Sequence, residues 1–131
     1  MPRILSVGQC GFDQFGISRK LKSAFGAEVA SVDTTVEALA MIRDQRFDLV
    51  LINRVFDADG GSGLDLIRTI KADPALSPTP AMLVSNYPEA QRQAEELGAL
   101  PGFGKSEIRS TAVIDRLAAA LKPRHAPSPE S

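Results

Sequence analysis

Three short runs in this chain are apolar almost throughout: RILSV (3–7), DLVLIN (48–53) and AMLVS (81–85). A strand with one wet face alternates polar and apolar residues. Unbroken runs such as these read as strands buried on both faces, the pattern of a parallel sheet covered by helices. Two weaker strands are predicted at AEVASV (27–32) and GFG (102–104). The segments between them carry helical spacing. A first helix is expected to start near Asp13 as its N-cap, with Ile17, Leu21 and Phe25 on one face and Gly26 as its stop. Thr34 and Glu37 form a capping-box pattern for a second, which buries Val36, Leu39, Ala40 and Ile42. A third runs from about Gly63, with Leu64, Ile67 and Ile70 inward, and ends before Pro74. Pro88 and Gly98 bracket a fourth with the usual proline-first, glycine-last asymmetry. A fifth covers 107–121.

Strand and helix therefore alternate five times. Right-handed crossovers then give an α/β fold: a doubly wound, five-stranded parallel sheet in the order 2-1-3-4-5, with helices on both faces. In such a sheet the functional crevice lies at the carboxyl ends of strands 1 and 3, which here carry Gly8, Gln9, Cys10 and Asn53. The expected organisation is one domain over 1–121 and a polar, proline-rich tail, KPRHAPSPES (122–131), predicted to be disordered.

Composition narrows the function classes. The 15 basic and 16 acidic residues nearly cancel, so no electrostatic footprint for nucleic acid is present. No run approaches the roughly 18 apolar residues of a membrane span. The opening MPRILSVGQC passes directly into a strand without the regions of a signal peptide. Cys10, the single cysteine, cannot form an internal disulfide, which fits a reducing interior. The expectation is a soluble cytoplasmic domain.

Four features together resemble the response-regulator receiver domain of bacterial two-component signalling: the strand DLVLIN, the serine closing LVSNY, the LGA ending the fourth helix, and the lysine after strand 5. The resemblance runs in order and spacing over about residues 3 to 121. It implies an acid pair after strand 1, a phosphoryl-accepting aspartate at the end of strand 3 with Mg²⁺ beside it, and a Ser/Thr and a Lys on the phosphoryl oxygens. In this chain the acid-pair positions are Gly8 and Gln9, and the acceptor position is Asn53. Ser85 and Lys105 match. The aromatic switch position is Gly102, and the proline that follows the family's lysine is Ser106, so its cis peptide is not expected. The loop DADGGSG is also longer than the family's.

These departures remove chemistry. A carboxylate is ionised at neutral pH and can attack phosphorus, whereas an amide oxygen is neutral and its lone pair delocalised. Mg²⁺ seeks carboxylate oxygens. The expectation is a degenerate phospho-site with no catalytic residue, no metal and no cofactor. Asn53 either forms a fixed polar plug with Ser85 and backbone groups or serves as a ligand-binding amide. Lys105, deprived of its usual counter-charge, is expected to face solvent or to pair with Asp57 or Asp59. Turn chemistry, not calcium binding, accounts for the Asp and Gly of that loop.

Other candidates carry less. Cys10 is either a packed thiol or a redox group near a helix start. His125 is the only histidine and lies in the tail, where Ser128-Pro129 could be modified. Arg19, Lys20 and Lys22 read as solvated surface. The last helix carries a wide apolar arc that includes Ile108, Val113, Ile114 and Leu117, expected to contact a protein partner or a second copy. The function expected is a pseudo-receiver, a phosphorylation-independent protein-interaction module in signal transduction. Two alternatives stand beside it: a small-ligand or redox sensor near Cys10, and a receiver phosphorylated instead at Asp13, Asp57 or Asp59.

Overall fold

The computed structural model describes residues 2–121; the tail, with His125, Ser128 and Pro129, lies outside the described residues. Strands β1 (Arg3–Val7), β2 (Glu28–Val32), β3 (Leu49–Asn53), β4 (Ala81–Val84) and β5 (Leu100–Phe103) alternate with helices α1 (Gly11–Phe25), α2 (Thr35–Asp44), α3 (Gly63–Ala72), α4 (Pro88–Glu96) and α5 (Thr111–Ala120). All strand pairs are parallel, in the order β2-β1-β3-β4-β5.

Side-chain alternation explains why the apolar runs are continuous. Leu5, Val7, Val50, Ile52, Ala81 and Leu83 face one core with Ala38 and Ile42 of α2, Leu66, Ile67 and Ile70 of α3, and Ala90 and Ala94 of α4. Their neighbours Ile4, Leu49, Leu51, Met82 and Val84 face a second core with Ile17 and Leu21 of α1 and Val113 and Leu117 of α5. Each of these strand residues thus meets a helix on one side or the other.

Several local expectations need correction. Asp13 is not the N-cap of α1. Cys10 is, its sulfur accepting the Asp13 N–H at 3.5 Å, so Asp13 sits inside the first turn. A thiol is a weak acceptor, which is why the sequence points to the aspartate instead. In α2 the buried stripe is Ala38 and Ile42, while Val36 is 77% exposed and Ala40 is also exposed. In α3 the fully buried leucine is Leu66, with Leu64 only partly covered. The fifth helix starts later than 107: a 3-10 turn spans Lys105–Glu107, and Ser110 caps α5 through the Val113 N–H. Strand β5 begins two residues earlier than GFG, at Leu100.

Candidate functional site

The crevice at the carboxyl end of the sheet is built around Asn53, the last residue of β3, which lies opposite Val84 of β4. Its Nδ2 donates to the carbonyl of Gly8 at 2.9 Å and to that of Val55 at 2.6 Å. A flipped amide would set Oδ1 against both oxygens, so the two bonds fix its orientation. The Gly8 carbonyl also accepts the Asp57 N–H at 3.0 Å, which ties the turn after β1 to the loop after β3. The Asn53 amide is thus held by backbone carbonyls from the turns after β1 and β3.

Position 8 cannot take an acid in this arrangement. Gly8 has φ +77°, and a Cβ there would stand 2.3 Å from Cδ1 of Phe56, a ring only 1% exposed. The loop after β3 folds back on itself through a Val55–Ser62 bridge, and Phe56 and Gly61 are joined by a 2.8 Å backbone bond. This delivers the Phe56 ring to the place where a side chain at 8 would lie. Gln9 is buried, and neither polar atom of its side chain has a hydrogen-bond partner among the described residues. An unpartnered neutral amide costs about 1–3 kcal/mol to bury, far less than an unpartnered carboxylate.

Ser85 does not join the plug. Its Oγ accepts the Tyr87 N–H at 3.1 Å and tightens the turn into α4. Lys105 departs from expectation as well: it meets neither Asp57 nor Asp59, and its Nζ lies 3.0 Å from Oδ2 of Asp13. Asp57 and Asp59 are exposed, and Asp59 instead accepts the Gly61 N–H at 2.9 Å, the turn chemistry expected of it. Asp13 reaches Lys105 because the Cys10 cap places it in the first turn of α1. Burial pushes the Asp13 carboxyl upward, but hydrogen bonds from Lys105 and Cys10 and the lysine charge outweigh this, and the carboxyl titrates below its ordinary range.

Mg²⁺, which the receiver resemblance implies, does not fit. Gly8, Gln9 and Asn53 offer no carboxylate, and the amide hydrogens of Asn53 already occupy the two carbonyls that face it. Among the described residues no group of three or more His, Cys, Asp or Glu side chains is placed to hold a metal ion.

The switch position is closed in a different way. A Cβ at Gly102 would lie 2.1 Å from the Leu83 carbonyl and 2.8 Å from Oε1 of Gln91. Gln91 fills this space, donating to the carbonyls of Leu83 (2.9 Å), Ser85 (3.1 Å) and Phe103 (3.3 Å) and accepting the Gly102 N–H (3.2 Å). It bridges β4 and β5 where their register shifts between Met82 and Val84. Arg116 of α5 donates to the Gly102 carbonyl. Gln91 carries no signal of this role in the sequence, since Gln93 beside it on the same polar helix looks the same.

The apolar arc of the last helix is mostly core. Val113 and Leu117 are 2% and 0% exposed, and Ile108 packs partly against the same cluster, so Val113 and Leu117 are not an interaction surface. Ile114 is half-buried. Among the described residues the large exposed apolar side chains are Phe12, Phe15, Val36, Val55 and Tyr87. Around the plug, Asn53, Arg54, Ser85, Asn86, Tyr87 and Lys105 line an open pocket of about 250 Å³, with Arg54 stacked 4.7 Å over the Tyr87 ring.

Topology and crevice together define the class: a flavodoxin-like α/β sheet with the receiver fold. Solved structures agree. A candidate response regulator from Chloroflexus aurantiacus superposes with TM-score 0.80 at 20% identity, over 94% of this chain and 100% of that one. The receiver domain of a DNA-binding response regulator from Colwellia psychrerythraea gives 0.76 at 19% identity over 94% and 100%. The chemotaxis response regulator CheY4 of Vibrio cholerae gives 0.72 at 21% identity over 92% and 99%. No protein-family model matches the chain, and no curated protein matches it in sequence. No helix among the described residues is long and apolar enough to cross a membrane.

Proposed function

We propose that this chain is a pseudo-receiver: a receiver-fold module in cytoplasmic signal transduction that binds protein partners without being phosphorylated. The observation that carries the reading is the double donation from Nδ2 of Asn53 to the Gly8 and Val55 carbonyls. It places amide hydrogens where a receiver needs a nucleophile and a cation. Supporting it, Lys105 is engaged by Asp13 and the aromatic switch position is occupied by the Gln91 bridge. With no phosphoryl group to distinguish two states, regulation would come through partner concentration or affinity.

The test is incubation of the intact protein with acetyl phosphate and Mg²⁺, followed by intact mass, with a conventional receiver as positive control. The unmodified mass is expected throughout. A gain of one phosphoryl group, whether on Asp13, Asp57 or Asp59, would overturn the proposal. The pocket beside Arg54 and Lys105 favours a second reading, a small-ligand site, and a ligand-dependent shift of the Asn53 or Ser85 amide resonances would raise it above the first.

A further inference from the structure

We infer that the pocket beside Asn53 binds a small hydroxycarboxylate, reversibly and without a metal ion. The inference rests on the small-ligand reading of this pocket and adds the chemistry of the ligand. The pocket holds about 250 Å³, and its lining includes the cations Arg54 and Lys105 and no acid. Among the described residues the Arg54 guanidinium makes no ion pair, and its contact is with the Tyr87 ring, 4.7 Å away. Stacking holds a guanidinium by its face and leaves its in-plane N–H groups free, the donors that grip a carboxylate in parallel. Lys105 meets Asp13 at 3.0 Å, and an ammonium has further hydrogens to give. Tyr87, the N-cap of α4, also lines the pocket, and no side chain caps that helix, so its positive end opens beside the same space.

Two buried polar side chains in the lining decide what the ligand carries besides its charge. Asn53 is 5% and Ser85 6% exposed. Asn53 spends both Nδ2 hydrogens on the Gly8 and Val55 carbonyls, and its Oδ1 accepts no hydrogen bond among the described residues. That oxygen is not sealed from solvent, so a visiting donor can reach it. The Ser85 Oγ accepts the Tyr87 N–H, and its own hydrogen has no acceptor among the described residues. One unspent acceptor and one unspent donor in the same lining suit a hydroxyl, which gives one hydrogen bond and takes another. A plain carboxylate would leave Oδ1 unmet. A doubly ionised phosphate ester offers only acceptors, and would set an oxygen against it. A carboxylate on the Arg54 fork with a hydroxyl at Asn53 and Ser85 meets every group. The volume is below that of a drug-sized site and suits a small metabolite.

The test uses the full chain, ¹⁵N-labelled and in EDTA, at a mildly alkaline pH where a phosphate ester is doubly ionised. It is titrated with L-malate, D-malate, succinate and methyl phosphate. One enantiomer of malate is expected to bind saturably at millimolar concentration, shifting the backbone amides of Arg54, Ser85, Tyr87 and Lys105 and the side-chain amide of Asn53. Succinate, the same diacid without the hydroxyl, should bind about tenfold or more weakly, because it leaves the Asn53 oxygen unpaired. Arg54→Lys keeps the charge and loses the fork, and should raise the malate Kd about tenfold or more. If that variant loses its fold by circular dichroism, the comparison of malate with succinate on the parent chain decides the question. No saturable binding of malate, shifts on another face, succinate as tight as malate, or indifference to Arg54→Lys in a folded variant would each overturn the inference. So would methyl phosphate binding as tightly as malate. Succinate or methyl phosphate shifting the pocket amides with malate no tighter sinks the hydroxycarboxylate and keeps the small-ligand reading. Silence from every anion sinks both.

Discussion

Asn53 differs from an aspartate by one NH₂ group, and both of its hydrogen bonds depend on that group. Asn53→Asp would set a carboxylate oxygen against the carbonyls of Gly8 and Val55. The variant should lose about 1–3 kcal/mol at neutral pH, the cost of buried acceptors left facing each other. It should still gain no phosphoryl group from acetyl phosphate, because Gly8 and Gln9 bring no carboxylate to hold a cation. Urea denaturation and intact mass check the two halves. Asp13 supplies a second case. Its carboxyl is depressed in the folded protein, so the stability it contributes is present above the unfolded value, about 3.9, and is lost as pH falls through the folded one. Asp13→Asn should therefore be less stable than the parent at pH 7, by about 1 kcal/mol or less for a partly exposed pair. The two denaturation midpoints should converge once the pH drops below the depressed value, and a difference that persists there would refute the assignment of Lys105 to Asp13.

At the level of strands and helices, the bulge in β5 depends on having no side chain at 102, since a Cβ there would sit 2.1 Å from the Leu83 carbonyl. Gly102→Ala should lose about 1–3 kcal/mol through overpacking, and an aromatic residue at 102 should lose more instead of restoring a switch. Gln91→Leu should also be destabilised, because it strips the Gly102 N–H of its acceptor; thermal melts of both variants test this. The sequence made the strands legible because burial on both faces leaves unbroken apolar runs, and the sheet order followed from the alternation of elements. The absence of a carboxylate at Gly8, Gln9 and Asn53 was legible too, since it holds wherever those side chains point. Partners across the fold were not. Lys105 finds Asp13 only because Cys10, a weak capping group, sets the start of α1, and Gln91 reaches β5 only through a register shift that no local pattern encodes. Val113 and Leu117 misled for a related reason: an apolar arc has the same spacing whether it meets a partner or the sheet.

The two apolar cores and the closed crevice act together on how the folded protein answers a cation. In a receiver with an acid cluster, divalent metal binds the native state and not the unfolded chain, so it raises stability by mass action. A cation at ten times its Kd adds about 1.4 kcal/mol, a rise of several degrees in Tm for a domain of this size. Here the Phe56 ring stands against Gly8, and the amide of Asn53 covers the two carbonyls beside it. Neither group can turn aside without opening buried structure, because Phe56 is 1% and Asn53 5% exposed. Millimolar Mg²⁺ should therefore leave the Tm where it is, apart from the general effect of ionic strength, which an equal ionic strength of NaCl reproduces. A magnesium-specific rise, saturable and absent with NaCl, would mean that the loop after β3 can open and bring Asp57 or Asp59 to the crevice. The closed plug would then be one state of two.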